Sequence, residues 1–291
     1  MTSGASKPEK NGQEGLAEGP EGDVPMSFWD HLSDLRSALM KSALGVSAGF
    51  AICFTYATEI REFLARPLHA AWVEAGLKGE PQLQVLAMMD AFITDIRVAV
   101  AGGIFAATPV IFYQLWAFIS PGLYKREKRF VIPFVGASVL LFMLGAGFCY
   151  GFVLPWTIQW LFGYTQSTAA DTPVIYNLTL NDYIRDTTKI LVAFGLVFEL
   201  PLLAAFLAAA GVIDHRSLLR FWKIAVVLIF IVAAFLTPPE PVSQMMMAIP
   251  MIILFFISVG VAYLLSRGHR RAAAEALARI DADERGEADG R

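Results

Sequence analysis

Six stretches of the chain are apolar for long enough to suggest membrane spans: Leu39–Ala57, Phe92–Ala117, Phe130–Val153, Ile190–Ala210, Ile224–Leu236 and Met245–Leu265. A helix needs roughly 20 apolar residues to cross a hydrocarbon core of about 30 Å. The second run carries Asp95 and Arg97 in its first turns, and the fourth is interrupted by Glu199 and Pro201. The fifth run is short, thirteen residues, or about 20 Å of helix, which on length alone also suits a re-entrant segment. Phe221, Trp222 and Lys223 extend it, with the lysine reaching back to the interface and the bilayer thinning to meet what remains.

Between the runs the pattern changes period. Phe28, Leu32, Leu35 and Leu39 recur at spacings of four, three and four, which places them on one helical face. Ser27 and Asp30 have the spacing of a capping box. A helix therefore starts near Ser27, lies in the interface and runs into the first span. The segment 58–91 reads as an amphipathic stretch over Glu59–Ala75 broken at Pro67, followed by an irregular Gln82–Met89. Residues 154–187, with Pro155, Pro173, Trp156 and Trp160, read as a second connection on the same side. These two loops are expected to pack together as a cap, with Trp and Tyr as interfacial anchors.

Composition and charge fix the class and the orientation. Of 291 residues 56% are hydrophobic and 17% charged, whereas a soluble domain carries nearer a quarter charged. With six spans and the N-terminus inside, 17 of the 23 basic residues fall on the inner side. They are Lys7, Lys10, Arg36 and Lys41; Lys125, Arg126, Lys128 and Arg129; Arg216, Arg220 and Lys223; and Arg267, Arg270, Arg271, Arg279, Arg285 and Arg291. The outer side keeps Arg61, Arg66, Lys78, Arg97, Arg185 and Lys189. Basic residues near span ends stay in the cytoplasm, so both termini are expected inside, and dropping the fifth span would reverse the basic tail. Residues 1–25 are polar and read as a disordered cytoplasmic tail without a signal peptide. Residues 26–266 form the six-helix transmembrane domain, and 267–291 a charged cytoplasmic tail. The class is an all-α polytopic membrane protein.

Few residues offer chemistry. Cys53 and Cys149 lie inside apolar runs and read as small buried hydrophobes. His31, His69, His215 and His269 are scattered, and there is no nucleotide-binding loop, metal spacing or Ser-His-Asp arrangement. Neither a catalytic site nor a cofactor nor a nucleic-acid partner is expected. Three carboxylates stand out. The polar side of the helix before the first span presents Asp30, His31, Asp34 and Arg36, either as a solvated face with its own ion pairs or as a binding face. The first inner loop, "AFISPGLYKREKRF", turns at Pro121 and Gly122 and holds one carboxylate, Glu127, among basic neighbours that can neutralise it. Glu199 sits in "AFGLVFELPLL", where a charge is costly and faces a cavity or a partner, unless it is protonated and bonded to a neighbouring helix. Gly195 permits close approach one turn earlier. The connection "LTPPEPVSQ", with Pro238, Pro239, Pro241, Glu240 and Gln244, makes a stiff, tight hairpin.

Taken together, "HLSDLR", "TPVIFYQLWAFISPGLYKREKR", "FGLVFELP" and "FLTPPEPVSQMMMAIP", in that order on those spans, resemble the TatC family over roughly residues 26–266. TatC is the receptor subunit of the twin-arginine protein translocase of the bacterial cytoplasmic (inner) membrane. The resemblance implies a concave bundle capped by outer loops, with both termini inside. It implies that the inner face binds the paired arginines of an export signal peptide through Asp34 and Glu127, with Arg36 orienting the carboxylates. Two guanidiniums suit two carboxylates, and lysine lacks the two-pronged fork. Asp34 stands where the family usually has Glu, and Glu240 where it usually has Asp. The resemblance further implies that Glu199 faces a lipid-side groove. TatB and TatA, single-span subunits, would associate near the fifth and sixth spans, close to Met245, Met246 and Met247, and several copies would self-associate. Transport would run on the proton-motive force. Pro67, Pro121, Pro238, Pro239, Glu240 and Gln244 are marked as structural or functional loop positions.

The competing class is a proton-coupled small-molecule transporter with Glu199 as the proton carrier. Such transporters show internal repeats and paired broken helices, and no convincing repeat relates the two halves. A purely structural scaffold would not need carboxylates at the cytoplasmic rim.

Overall fold

A computed structural model describes residues 28–119, 131–168, 176–209, 215–236, 241 and 244–264. In chain order the elements are α1 (Phe28–Thr55), α2 (Ala57–Glu74), β1 (Leu83–Gln84), α3 (Asp90–Ile119), α4 (Val131–Phe148), α5 (Leu154–Thr168), β2 (Leu178–Thr179), α6 (Leu180–Phe198), α7 (Leu200–Ala209), α8 (His215–Arg220), α9 (Trp222–Leu236) and α10 (Gln244–Leu264). Five helical stretches are long and apolar enough to cross a membrane: His31–Thr55, Asp90–Ile119, Ile132–Thr168, Leu180–Ala208 and Gln244–Leu264. The shorter α9 is a sixth apolar helix, only about 22 Å long at 1.5 Å per residue. The apolar pattern predicts these six.

Small residues decide how the helices meet, because lipid supplies no hydrophobic drive between spans and close packing must do so. Along the α1–α3 pair, a Cβ at Gly49 would lie 2.8 Å from the Gly103 carbonyl, and one at Gly103 would lie 2.7 Å from the Phe50 nitrogen. Backbone therefore touches backbone there. The α4–α6 pair repeats the device: a Cβ at Gly145 would strike the Phe194 carbonyl at 2.6 Å, and one at Gly195 the Phe142 ring at 2.6 Å. The close approach expected at Gly195 is found.

Prolines mark where the helices bend rather than stop. Pro67 lies inside α2 and is buried, so the break expected there, and its placement as a loop position, are both corrected. Proline cannot donate to the carbonyl four residues back, and that carbonyl, Phe63, accepts from Tyr150 Oη at 2.7 Å instead. The next carbonyl, Leu64, accepts from Tyr183 Oη at 2.8 Å. Similarly, α4 does not end in a loop before Pro155. It widens into a π-turn over Cys149–Val153, with Leu154 N–H bonded to the Cys149 carbonyl five residues back, and continues as α5. An extra residue in the turn accommodates the proline ring. The expected connection 154–187 is thus mostly helix, with α5 over Leu154–Thr168 and α6 beginning at Leu180, ten residues before its apolar run.

The cap is accordingly built of helices, α2 and α5, rather than loops. Trp72, Phe162 and Tyr176 meet edge to face over buried Leu68 and Ala71. Gly76 and Gly79, at positive φ, turn the chain after α2 so that Trp72 Nε1 reaches the Gly79 carbonyl at 3.0 Å. Leu83 and Gln84 then pair in parallel with Leu178 and Thr179. Arg61 binds Asp95 at 2.5 Å, tying the cap to α3. Arg97 donates to Asn181 on α6, which reaches Asp90 at 3.4 Å. The polar residues in the first turns of the second span therefore serve the cap. Between the later helices, Lys189 on α6 donates to the Phe235 carbonyl in the last turn of α9.

Candidate functional site

Two polar places interrupt the apolar bundle. The first lies where the N-terminal half of α1 crosses the C-terminal end of α3. Asp34, Ser37, Ala38 and Lys41 of α1, with Gln114, Ala117 and Phe118 of α3, line a cleft of about 210 Å³. The i, i+3, i+4, i+7 spacing of the α1 residues puts them on one helix face. His31, one turn earlier, stacks on Phe118 with ring centroids 4.3 Å apart and nearly parallel planes. This contact holds the α1 end against α3 and leaves the Asp34 carboxylate exposed. Among the described residues Asp34 has no ion-pair partner, so the cleft, which also holds Lys41, presents an unpaired carboxylate.

Arg36 is exposed on α1 but does not line this cleft. Residues two apart on a helix point about 200° apart, so the structure does not bring Arg36 onto the Asp34 face. Glu127, Pro121, Pro238, Pro239 and Glu240 lie outside the described residues. Lys41 and Gln114 join the cleft without having been singled out in the sequence. Their signals are simple: Lys41 is seven residues from Asp34, and Gln114 is a polar residue inside an apolar run.

The second place is Glu199. It caps α6 in a non-extended turn, with its N–H bonded to the Leu196 carbonyl at 3.1 Å, and α7 restarts one residue later. The restart fits Pro201, which has no N–H for the Val197 carbonyl four residues back; a backbone N–H of the cap turn bonds that carbonyl instead. Trp116 Nε1 donates to Ser138 Oγ at 2.8 Å. Ser138 is fully buried, and its side chain is within hydrogen-bonding reach of the Glu199 carboxyl. Phe206 packs against the Trp116 ring at 4.8 Å and Phe134 at 5.0 Å. Glu199 Oε1 is buried and has no hydrogen-bond partner among the described residues. Such an atom costs about 1–3 kcal/mol unless a donor reaches it. The Trp116–Ser138 support was missed in the sequence, where a tryptophan in a span reads as a packing residue.

Gln244 opens α10 rather than sitting in a loop, and its Nε2 donates to the Phe230 carbonyl of α9 at 2.9 Å. Of the three methionines that follow, Met247 is in the core and Met245 is exposed. Cys149 is buried and Cys53 partly so. Among the described residues no group of three or more His, Cys, Asp and Glu could hold a metal ion.

Sequence and structure comparisons place this arrangement. The profile of the family described as "TatC: Sec-independent protein translocase protein (TatC)" matches residues 30–250. The chain is 39% identical over 233 residues to the "Sec-independent protein translocase protein TatC" of Desulforapulum autotrophicum, covering 80% of this chain and 82% of that one. It is 36% identical over 244 residues to the protein of the same description from Aquifex aeolicus, covering 83% and 97%. Among solved structures, one described as "Crystal Structure of Twin Arginine Translocase Receptor- TatC" superposes with a TM-score of 0.72 at 37% identity, covering 81% of this chain and 99% of that one. With 221 of its residues inside the family profile and its helices superposing on a solved member, this multi-pass inner-membrane chain belongs to the TatC family, a non-enzymatic component of the Sec-independent protein translocase.

Proposed function

We propose that the chain is the signal-peptide receptor of a twin-arginine translocase, with the α1–α3 cleft facing the cytoplasm. The observation that carries this reading is the Asp34 carboxylate, exposed and without an ion-pair partner among the described residues, in a polar cleft at the end of an otherwise apolar bundle. Glu127 stands eight residues after Ile119, where α3 ends, so an extended chain of about 28 Å at most separates it from the cleft wall. The two carboxylates receive one guanidinium each of the paired arginines, each as a two-pronged ion pair. Arg36, on another face of α1, acts on the peptide's flanking residues or on lipid phosphates rather than by aligning Asp34.

The peptide's apolar stretch continues into the membrane toward Glu199, whose free Oε1 accepts a donor from the peptide or from a single-span partner, TatB or TatA. Those partners dock beside α9 and α10, several copies assemble, and the proton-motive force drives transport. Residues 1–25 and 267–291 remain in the cytoplasm as tails. The test is equilibrium binding of a fluorescent twin-arginine peptide to the purified chain in nanodiscs. The expected result is tight binding that weakens for a twin-lysine peptide and for Asp34→Asn. Equal binding of both peptides, unchanged in Asp34→Asn, would overturn the assignment.

A further inference from the structure

Away from both polar places, α2, α3, α4 and α6 enclose a cavity of about 390 Å³ that no part of the proposed mechanism uses. That volume falls in the range of about 300–1,000 Å³ typical of small-molecule sites. Its floor is buried and apolar, with Val98 and Leu191 among the residues lining it. Its mouth is marked by lining residues that are themselves exposed, Phe63, Met143 and Gly147. A Cβ built at Gly147 meets nothing within 4 Å. Met143 and Gly147 lie on a helix long and apolar enough to cross a membrane, and Phe63 on the cap helix α2, so the mouth opens toward lipid at the cap-side interface.

The rim on the cap side is polar in one sense only. Phe63 and Tyr150 stack face to face at 4.5 Å, and the Arg66 guanidinium lies 5.5 Å from the Phe63 ring centroid. Arg66 is exposed and forms no ion pair with a described residue; Glu62, one turn earlier on α2, does not engage it. An apolar slot at membrane depth with an available guanidinium above it, at the level of the interfacial cap, has the layout of one acyl chain beneath one phosphate. Guanidinium binds phosphate through paired hydrogen bonds and rests on aromatic faces with little loss of charge. We propose that this cavity is a binding site for an anionic phospholipid of the cap-side leaflet, with one acyl chain between α3 and α4 and its phosphate on Arg66. A bound lipid there wedges the cap helix α2 against α3, α4 and α6.

The test uses the full chain in phosphatidylcholine nanodiscs doped with phosphatidylglycerol or phosphatidylcholine carrying a nitroxide deep in one chain. Electron paramagnetic resonance then reads the motionally restricted fraction. The expected result is a restricted fraction about threefold larger for phosphatidylglycerol, the scale of one partly exposed charge contact. Arg66→Ala should bring the two lipids level. Gly147→Trp, which fills the mouth, should remove the excess restricted component for both. Ala101→Leu, on the α3 wall, should do the same if the tryptophan variant fails to elute as a folded species. Ile253→Trp, at an exposed position on α10, should change nothing. Equal restriction of the two lipids in the unmodified chain would overturn the proposal, as would restriction that survives both cavity-filling variants. Restriction absent with lipid, but seen with a labelled apolar signal-peptide segment, would assign the cavity to peptide and likewise overturn it.

Discussion

At the scale of single residues, two carboxylates carry different burdens. Asp34 is exposed and reads its ligand through charge, so Asp34→Asn should weaken twin-arginine peptide binding about tenfold or more, from the loss of one charge-assisted contact of about 1.5–3 kcal/mol. Titration of peptide into nanodiscs measures this, and the difference should shrink at high salt, where exposed charges are screened. Glu199 instead sits at the α6–α7 junction with a buried, free Oε1, beside the Ser138 that accepts from Trp116. Glu199→Ala should impair export while leaving surface peptide binding within about twofold, since Glu199 at the α6–α7 junction is not among the residues that line the cleft, and effects of sites without shared partners add. Trp116→Phe keeps an aromatic ring, though a smaller one, and removes the donor to Ser138; a comparable export defect with unchanged binding would place Trp116 in the support of Glu199. Glu199 was legible in the sequence because a carboxylate in an apolar run is conspicuous. Trp116 and Ser138 were not, because their role depends on α3, α4 and α6 converging. Arg36, two residues along the helix from Asp34, lies on another face of α1.

At the scale of elements, the chain keeps helices intact across prolines by importing donors. Tyr150 serves the Phe63 carbonyl that Pro67 leaves orphaned, from 87 residues away in sequence. No local pattern contains that information, which is why the sequence predicted a break in α2. Tyr150→Phe preserves the stack on Phe63 and deletes only the hydroxyl, so it should lower stability by about 0.5–1.5 kcal/mol, the net value of one hydrogen bond at a partly exposed carbonyl. Adding Pro67→Ala to that variant restores a backbone N–H facing the Phe63 carbonyl and should recover part of the loss. Thermal unfolding of the four proteins in one detergent checks both statements, and equal loss with and without Pro67→Ala would contradict them. By contrast, the spans were legible because apolar length alone sets them. Their contact points were only partly so: Gly195 was anticipated, whereas the Gly49–Gly103 crossing needed the pairing of α1 with α3 to be known. Lys189 meets the last turn of α9 at the Phe235 carbonyl; the lysine's place on α6 gave no local hint of it.

At the scale of the whole molecule, an apolar bundle carries a helical cap at one end and a polar cleft at the other, and TatC membership displaces the solute-transporter reading. The proposed orientation puts the cap outside. In a chain with Cys53 and Cys149 replaced by alanine, Lys78→Cys on the cap should react with an impermeant maleimide on whole cells. Ser33→Cys beside the cleft should react only after the cells are opened, and the reverse pattern would invert the topology. The central claim is that the α1–α3 cleft receives paired arginines through Asp34 and Glu127. Its most direct test is site-specific cross-linking of a twin-arginine signal peptide to membranes containing this chain, beside a twin-lysine peptide and the Asp34→Ala and Glu127→Ala variants. The account predicts cross-links to residues lining the cleft that are selective for the arginine pair and weaken in both variants. Equal labelling by both peptides, indifferent to either carboxylate, would contradict it.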